Sequence, residues 1–260
     1  MTDILPADYK AKRQDAVNAR NRGDIAAARA IYRDIVQEHA DNPRIIEITA
    51  TTLAKMACVD DAVAILEEQL ARLGDRQKLL SQLAHILMAA QRWEAASAVL
   101  RRWLVLAWED NVALMLAHSL VMSDALEEAE AVLQKVIAAD ATNAEALLHL
   151  ATVQHKRGNF MEALAAIDNG LDKDPRPLGY CLRAEILLQL NQPTLANIAY
   201  QRALELAPEY EPAMKGLAGI SAAKKKPMPA YGQRIRVYDP VHGGSHYIGA
   251  AWVQAPIWKK

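Results

Sequence analysis

Alanine recurs through most of this chain at a spacing that few architectures satisfy. It stands at Ala28, Ala62, Ala96, Ala129, Ala163 and Ala196, with steps of 34, 34, 33, 34 and 33 residues. A second set precedes each by twelve residues, at Ala16, Ala50, Ala84, Ala117, Ala151 and Ala184. Four residues after each member of the first set comes a bulky side chain: Tyr32, Leu66, Leu100, Leu133, Ile167 and Tyr200. A fixed period of this length marks a supersecondary unit that cannot bury its own apolar face and must stack on copies of itself. Paired small residues mark a close approach of two helices, and the bulky residue one turn later fills the space beside it. Each unit therefore reads as a helical hairpin.

Composition agrees with an all-α body. Of the residues, 52% are hydrophobic, chiefly Ala and Leu, and there is one Phe. That favours closely packed helices over strands, which draw on Val, Ile, Thr and aromatics. Gly23-Asp24, Asp60-Asp61, Gly158-Asn159 and Asn191-Gln192 are expected to turn the chain within units. Asp41-Asn42-Pro43, Asp174-Pro175 and Pro208 are expected to end them. The first residues show neither a basic nor an apolar leader segment, and no run of 18 apolar residues occurs, so neither a secretory signal nor a membrane span is expected. Two cysteines, Cys58 and Cys181, are too few for a disulfide framework or a structural zinc site. A reducing, cytoplasmic setting is the expectation.

The pattern resembles the tetratricopeptide repeat, a family of interaction modules. Ala144 to Arg176 carries it most clearly, matching at Leu147, Leu150, Ala151, Gly158, Ala163, Ile167, Gly170 and Pro175, and Pro177 to Tyr210 nearly as well. The terminal Pro of the family is replaced in the first four copies by Ala40, Gly74, Trp108 and Ala141, and its late small residue by Ile35, Gln69, Trp103 and Val136. The resemblance implies an all-α, right-handed α-solenoid of six hairpins over residues 9–210, with copies at 9–42, 43–76, 77–109, 110–143, 144–176 and 177–210 after a lead of residues 1–8. A half repeat at 211–223 is expected to cap the open end.

From residue 224 onward the character changes. Residues 224–260 carry seven Lys or Arg against Asp239 alone, a charge of +6, which leaves −7 on residues 1–223. Residues 227–260 also hold four Pro, four Gly and five of the fourteen aromatics, so the tail is expected to be irregular or a short β-hairpin. Its aromatic content predicts a docking element built on Ile235, Val237, Tyr238, Tyr247, Trp252 and Trp258.

In the family the first helices line the concave side, which implies side-chain ladders across a groove. At one end these offer Lys10, Arg13, Arg44 and Lys78. In the middle they offer His85, Met88, Leu114, Met115, His118, Val121, Leu148, His149 and His155, a surface suited to an apolar helix or extended segment of another protein or larger complex. Some relatives clamp the C-terminal carboxylate of chaperone tails; Arg13 and Lys78 match two places of that clamp, but Val17, Ile48 and Gln82 stand where two Asn and an Arg belong, so that activity is not expected. No phosphate-cradling, dinucleotide or nucleophile-elbow motif occurs, and His242 with His246 has only Asp239 nearby, so no catalysis, cofactor or metal is expected. The acidic body gives nucleic acid no companion surface. The sequence thus predicts an adaptor or assembly factor, with a client chaperone or the targeting subunit of a separately encoded enzyme as alternatives.

Overall fold

A computed structural model describes residues 5–225, 235–239 and 244–248. Its first hairpin is α1 (Ala7–Asn21) with α2 (Ile25–Glu38), followed by α3 (Pro43–Lys55) with α4 (Val59–Leu73) and α5 (Gln77–Ala89) with α6 (Trp93–Leu106). Then come α7 (Asp110–Met122) with α8 (Leu126–Ala139), α9 (Ala144–Lys156) with α10 (Phe160–Lys173), α11 (Pro177–Gln189) with α12 (Pro193–Leu206), and a thirteenth helix, α13 (Glu211–Lys225). Each hairpin packs on the next through its second helix, so the described helices form a solenoid of six hairpins with one helix added.

The alanine register is written into the packing. All twelve alanines of the two sets are fully buried, and the six bulky partners are at most 4% exposed. The turns repeat as faithfully. Gly23, Ala57, Gln91, Asp124, Gly158 and Asn191 sit five residues before their second-helix alanines, all with φ between 58° and 82°. In each turn the next amide donates to the carbonyl five residues back, as from Asp24 to Ala19 (3.0 Å), Cys58 to Leu53 (2.9 Å) and Gln192 to Leu187 (2.8 Å). This closes the first helix and satisfies one of its orphan carbonyls. Asn42 and Asn143 cap the helices that follow them, and Pro43, Pro177 and Pro193 occupy first turns, where a missing N–H costs nothing.

The expectation of a turn at Asp60-Asp61 needs correction. Both lie in the first turn of α4, where acids favour the helix N-terminus, and Ala57 makes the turn instead. Asp61 is buried beneath Arg29 and Arg33 of α2, and hydrogen bonding from Arg29 holds its carboxyl below the usual range. Similar bridges join Arg92 to Asp60, Arg101 to Glu128 and Arg102 to both Glu67 and Asp75 across neighbouring repeats.

α13 continues the first-helix series, and among the described residues no second helix follows it. Ala213 and Ile220 are buried against the α11–α12 end, while Ala218, whose six equivalents are fully buried, is exposed. The period would run a second helix through about 227–240. That span instead contains β1 (Ile235–Asp239), whose backbone pairs antiparallel with β2 (Gly244–Ile248), Val237 opposite His246. Of the tail residues singled out above, Ile235, Val237, Tyr238 and Tyr247 fall on these stretches, and Trp252 and Trp258 lie outside the described residues.

Candidate functional site

The first helices bring their side chains to one face, where two adjoining clefts open between α3 and α5. The larger, about 830 Å³, has an apolar floor of Ala54, Val59, Ile86 and Ala89. Its polar rim is Glu47, Thr51, Lys55, Lys78, Ser81, Gln82 and His85. The second, about 770 Å³, shares Glu47 and Lys78 and extends to Asn42, Arg44 and Ile48.

Hydrogen bonds hold this rim in place. Gln82 Nε2 donates to the Glu47 carbonyl at 2.6 Å and to Thr51 Oγ1 at 2.9 Å, tying α5 to α3. Lys78 Nζ lies 2.6 Å from Glu47 Oε2. His85 Nδ1 is 2.6 Å from the Ser81 carbonyl, one turn back, which requires a proton on that nitrogen. The Gln82 Oε1 is buried and has no hydrogen-bond partner among the described residues.

Farther along, Trp93, His118 and His149 form a chain of edge contacts, with ring centroids 5.5 Å and 5.8 Å apart. Burial, and secondarily His118, push the His149 imidazole toward its neutral form. His155 stacks obliquely on Phe160 at 5.8 Å. Burial pushes the Cys181 thiol up to about 11, which leaves it a packing residue rather than a nucleophile. Among the described residues no cluster of three or more His, Cys, Asp or Glu is placed to hold a metal ion.

The site read from the sequence is redistributed by these positions. Arg44, Lys78 and His85 line the clefts, whereas Lys10 and Arg13 are exposed on α1 outside them. Leu114 and Val121 are core residues, 9% and 3% exposed, because α7 is apolar nearly all round and is packed by α6, α8 and α9. Met88, Met115 and Leu148 are half-buried and pack against the core, and His118, His149 and His155 are half-covered in the ring contacts above. Thr51, Lys55, Ser81 and Ala89 are lining residues that the sequence reading does not single out, and Gln82 enters it only as a mismatch to the carboxylate clamp. Their signal was available, since equal offsets from the first-helix alanines run through Thr51 and Ser81, but small polar residues carry little weight beside Met and His.

Comparison places these features in a known class. Residues 106–217 match the model of a family described as a tetratricopeptide repeat-like domain. That stretch carries a tetratricopeptide repeat-like domain, and the same helical hairpin continues in register toward the N-terminus. Among solved structures it is similar to PilW, described as a widely conserved type IV pilus biogenesis factor, at 16% identity over 82% of this chain and 100% of that one, with a TM-score of 0.57. It is similar to YrrB, described as a TPR protein with an unusual peptide-binding site, at 15% identity over 71% of this chain and 96% of that one, with a TM-score of 0.53. MamA matches at 20% identity over 60% of this chain and 92% of that one, with a TM-score of 0.53. At these identities the likeness is one of fold. No curated protein matches by sequence.

Proposed function

We propose that this protein is a non-enzymatic interaction scaffold that holds an extended segment of another polypeptide in the groove between α3 and α5. The observation that carries this reading is the larger cleft, where an apolar floor is rimmed by polar side chains that Gln82 ties across α3 and α5. Apolar area supplies affinity, and a few fixed polar groups set register and direction. The peptide-binding site described for YrrB and the pilus biogenesis role described for PilW accord with such a use of the fold. Among the described residues no helix is long and apolar enough to cross a membrane.

The finer role we assign is that of an adaptor or assembly factor in the cytoplasm, with the tail as a second docking element. A stable adaptor co-purifies with its partner in fixed stoichiometry; a client chaperone releases its client, and a targeting subunit brings an active enzyme with it. The groove itself is tested by selecting a displayed library of random twelve-residue peptides on the full chain. Wild-type protein is expected to enrich a common motif. Ala89→Trp, which fills the cleft from an exposed position, is expected to weaken that peptide at least about tenfold, equivalent to about 1.4 kcal/mol. Equal binding by both proteins places the peptide elsewhere.

A further inference from the structure

The outer side of α12 differs from that of every earlier second helix. Two residues after the second-helix alanine stand Ala30, Ala64, Ala98, Ala131 and Ala165, all but the last helix's copy, and all exposed. In α12 this position is Ile198, 47% exposed. One residue before that alanine, where Asp61, Glu128 and Glu162 stand in other copies, α12 has Leu195, and Leu206 follows on the same side. Leu195, Ile198 and Leu206 form one stripe at i, i+3 and i+11, with Arg202 between them engaged by Glu205 at 2.6 Å. A single exposed leucine is ordinary, but three large apolar residues on one outward stripe of a helix are an uncovered surface.

We infer that residues 250–260 of this chain cover the outer stripe of α12. Their sequence, Ala250-Ala251-Trp252-Val253-Gln254-Ala255-Pro256-Ile257-Trp258-Lys259-Lys260, combines four large apolar side chains with two lysines and no acid. Exposed Glu209 follows the stripe and offers the two lysines an acid, Glu205 being engaged by Arg202. Continuity of the chain supports the same occupant. α13 packs on α12 and ends at Lys225; because β1 and β2 pair and double the chain back, residues 226–234 and 249 supply the reach, about 33 Å if fully extended, which still exceeds the roughly 21 Å length of α12. A second copy suits the stripe less well. Three side chains fall well short of the roughly 1,000 Å² that a specific interface between separate molecules needs, whereas a tethered segment docks at high effective concentration. This inference concerns the tail alone and stands or falls independently of the groove between α3 and α5.

The test is photocrosslinking of the full chain carrying p-benzoylphenylalanine in place of Ile198, with a circular dichroism spectrum confirming that the helices persist. A second probe at Leu206 repeats the measurement should the first variant fail to fold. Irradiated monomer is expected to give an intramolecular adduct between the probe and residues 250–260, located by mass spectrometry and reduced at least about fivefold by Trp252→Ser with Trp258→Ser. The same probe at Ala98, the equivalent outer position of the third hairpin, is expected to give no such adduct. Adducts that join two chains would make the stripe a dimer face, and a monomer in which neither probe reaches residues 250–260 would leave it bare; either result overturns the inference.

Discussion

Ala117→Trp is expected to cost about 3 kcal/mol or more of stability, because Ala117 is fully buried where α7 meets its neighbours and the indole has no void to enter. In a body of this size that corresponds to a fall in melting temperature of roughly 6 to 12 °C, read by circular dichroism. Ala98→Trp is the matched control. It adds the same side chain to an alanine of the same repeat family on the exposed outer side, and should leave the melting temperature within about 1 °C. Equal effects at the two positions would mean that the period does not encode the helix contacts.

Gly216→Ala is expected to unseat α13. A Cβ on Gly216 would overlap the ring of Tyr200, which is 4% exposed within the cluster that includes Cys181, Ala199 and Ala203, so the ring or the helix must shift to admit it. Burial pushes the Tyr200 hydroxyl up to about 12, so it remains neutral. Releasing α13 re-exposes Ile220 and uncovers Tyr200, a loss of about 2 to 4 kcal/mol in apolar burial. Hydrogen exchange should therefore accelerate at least about tenfold across Glu211–Lys225, while α1 to α10 keep their rates. Gly219→Ala makes the opposite prediction, since nothing lies within 4 Å of its added Cβ, and an alanine in a helix interior gains about 0.5 to 1 kcal/mol over glycine. Slow exchange across α13 in the Gly216 variant would show that the close approach is dispensable.

The fold was largely legible because one periodicity set both helix packing and turn position. Each alanine predicted to mark a close contact is buried completely, and the left-handed turn residue keeps its place five positions ahead even where it is Ala57 or Gln91 rather than glycine. Asp60-Asp61 misled because acids serve both turns and helix N-termini, and only tertiary structure shows Arg29 and Arg33 closing over Asp61. The groove was less legible. Equal offsets place residues on the same helix face, yet they do not say how closely adjacent hairpins approach. Leu114 and Val121 are covered at the tight α7–α9 contact, while Ala54 and Ala89 line open space between α3 and α5. Residue size points toward Met and His, whereas the floor of the cleft includes small residues such as Ala54 and Ala89.

The central claim is that the α3–α5 groove holds a partner segment. It is tested most directly by hydrogen exchange of the full chain with and without the peptide enriched on it. Protection is expected to concentrate in Glu47–Lys55 and Lys78–Ala90, the segments that line the cleft, with the rest of the solenoid little changed. Protection confined to the second helices α2, α4 and α6, with α3 and α5 exchanging as in the free protein, would contradict it.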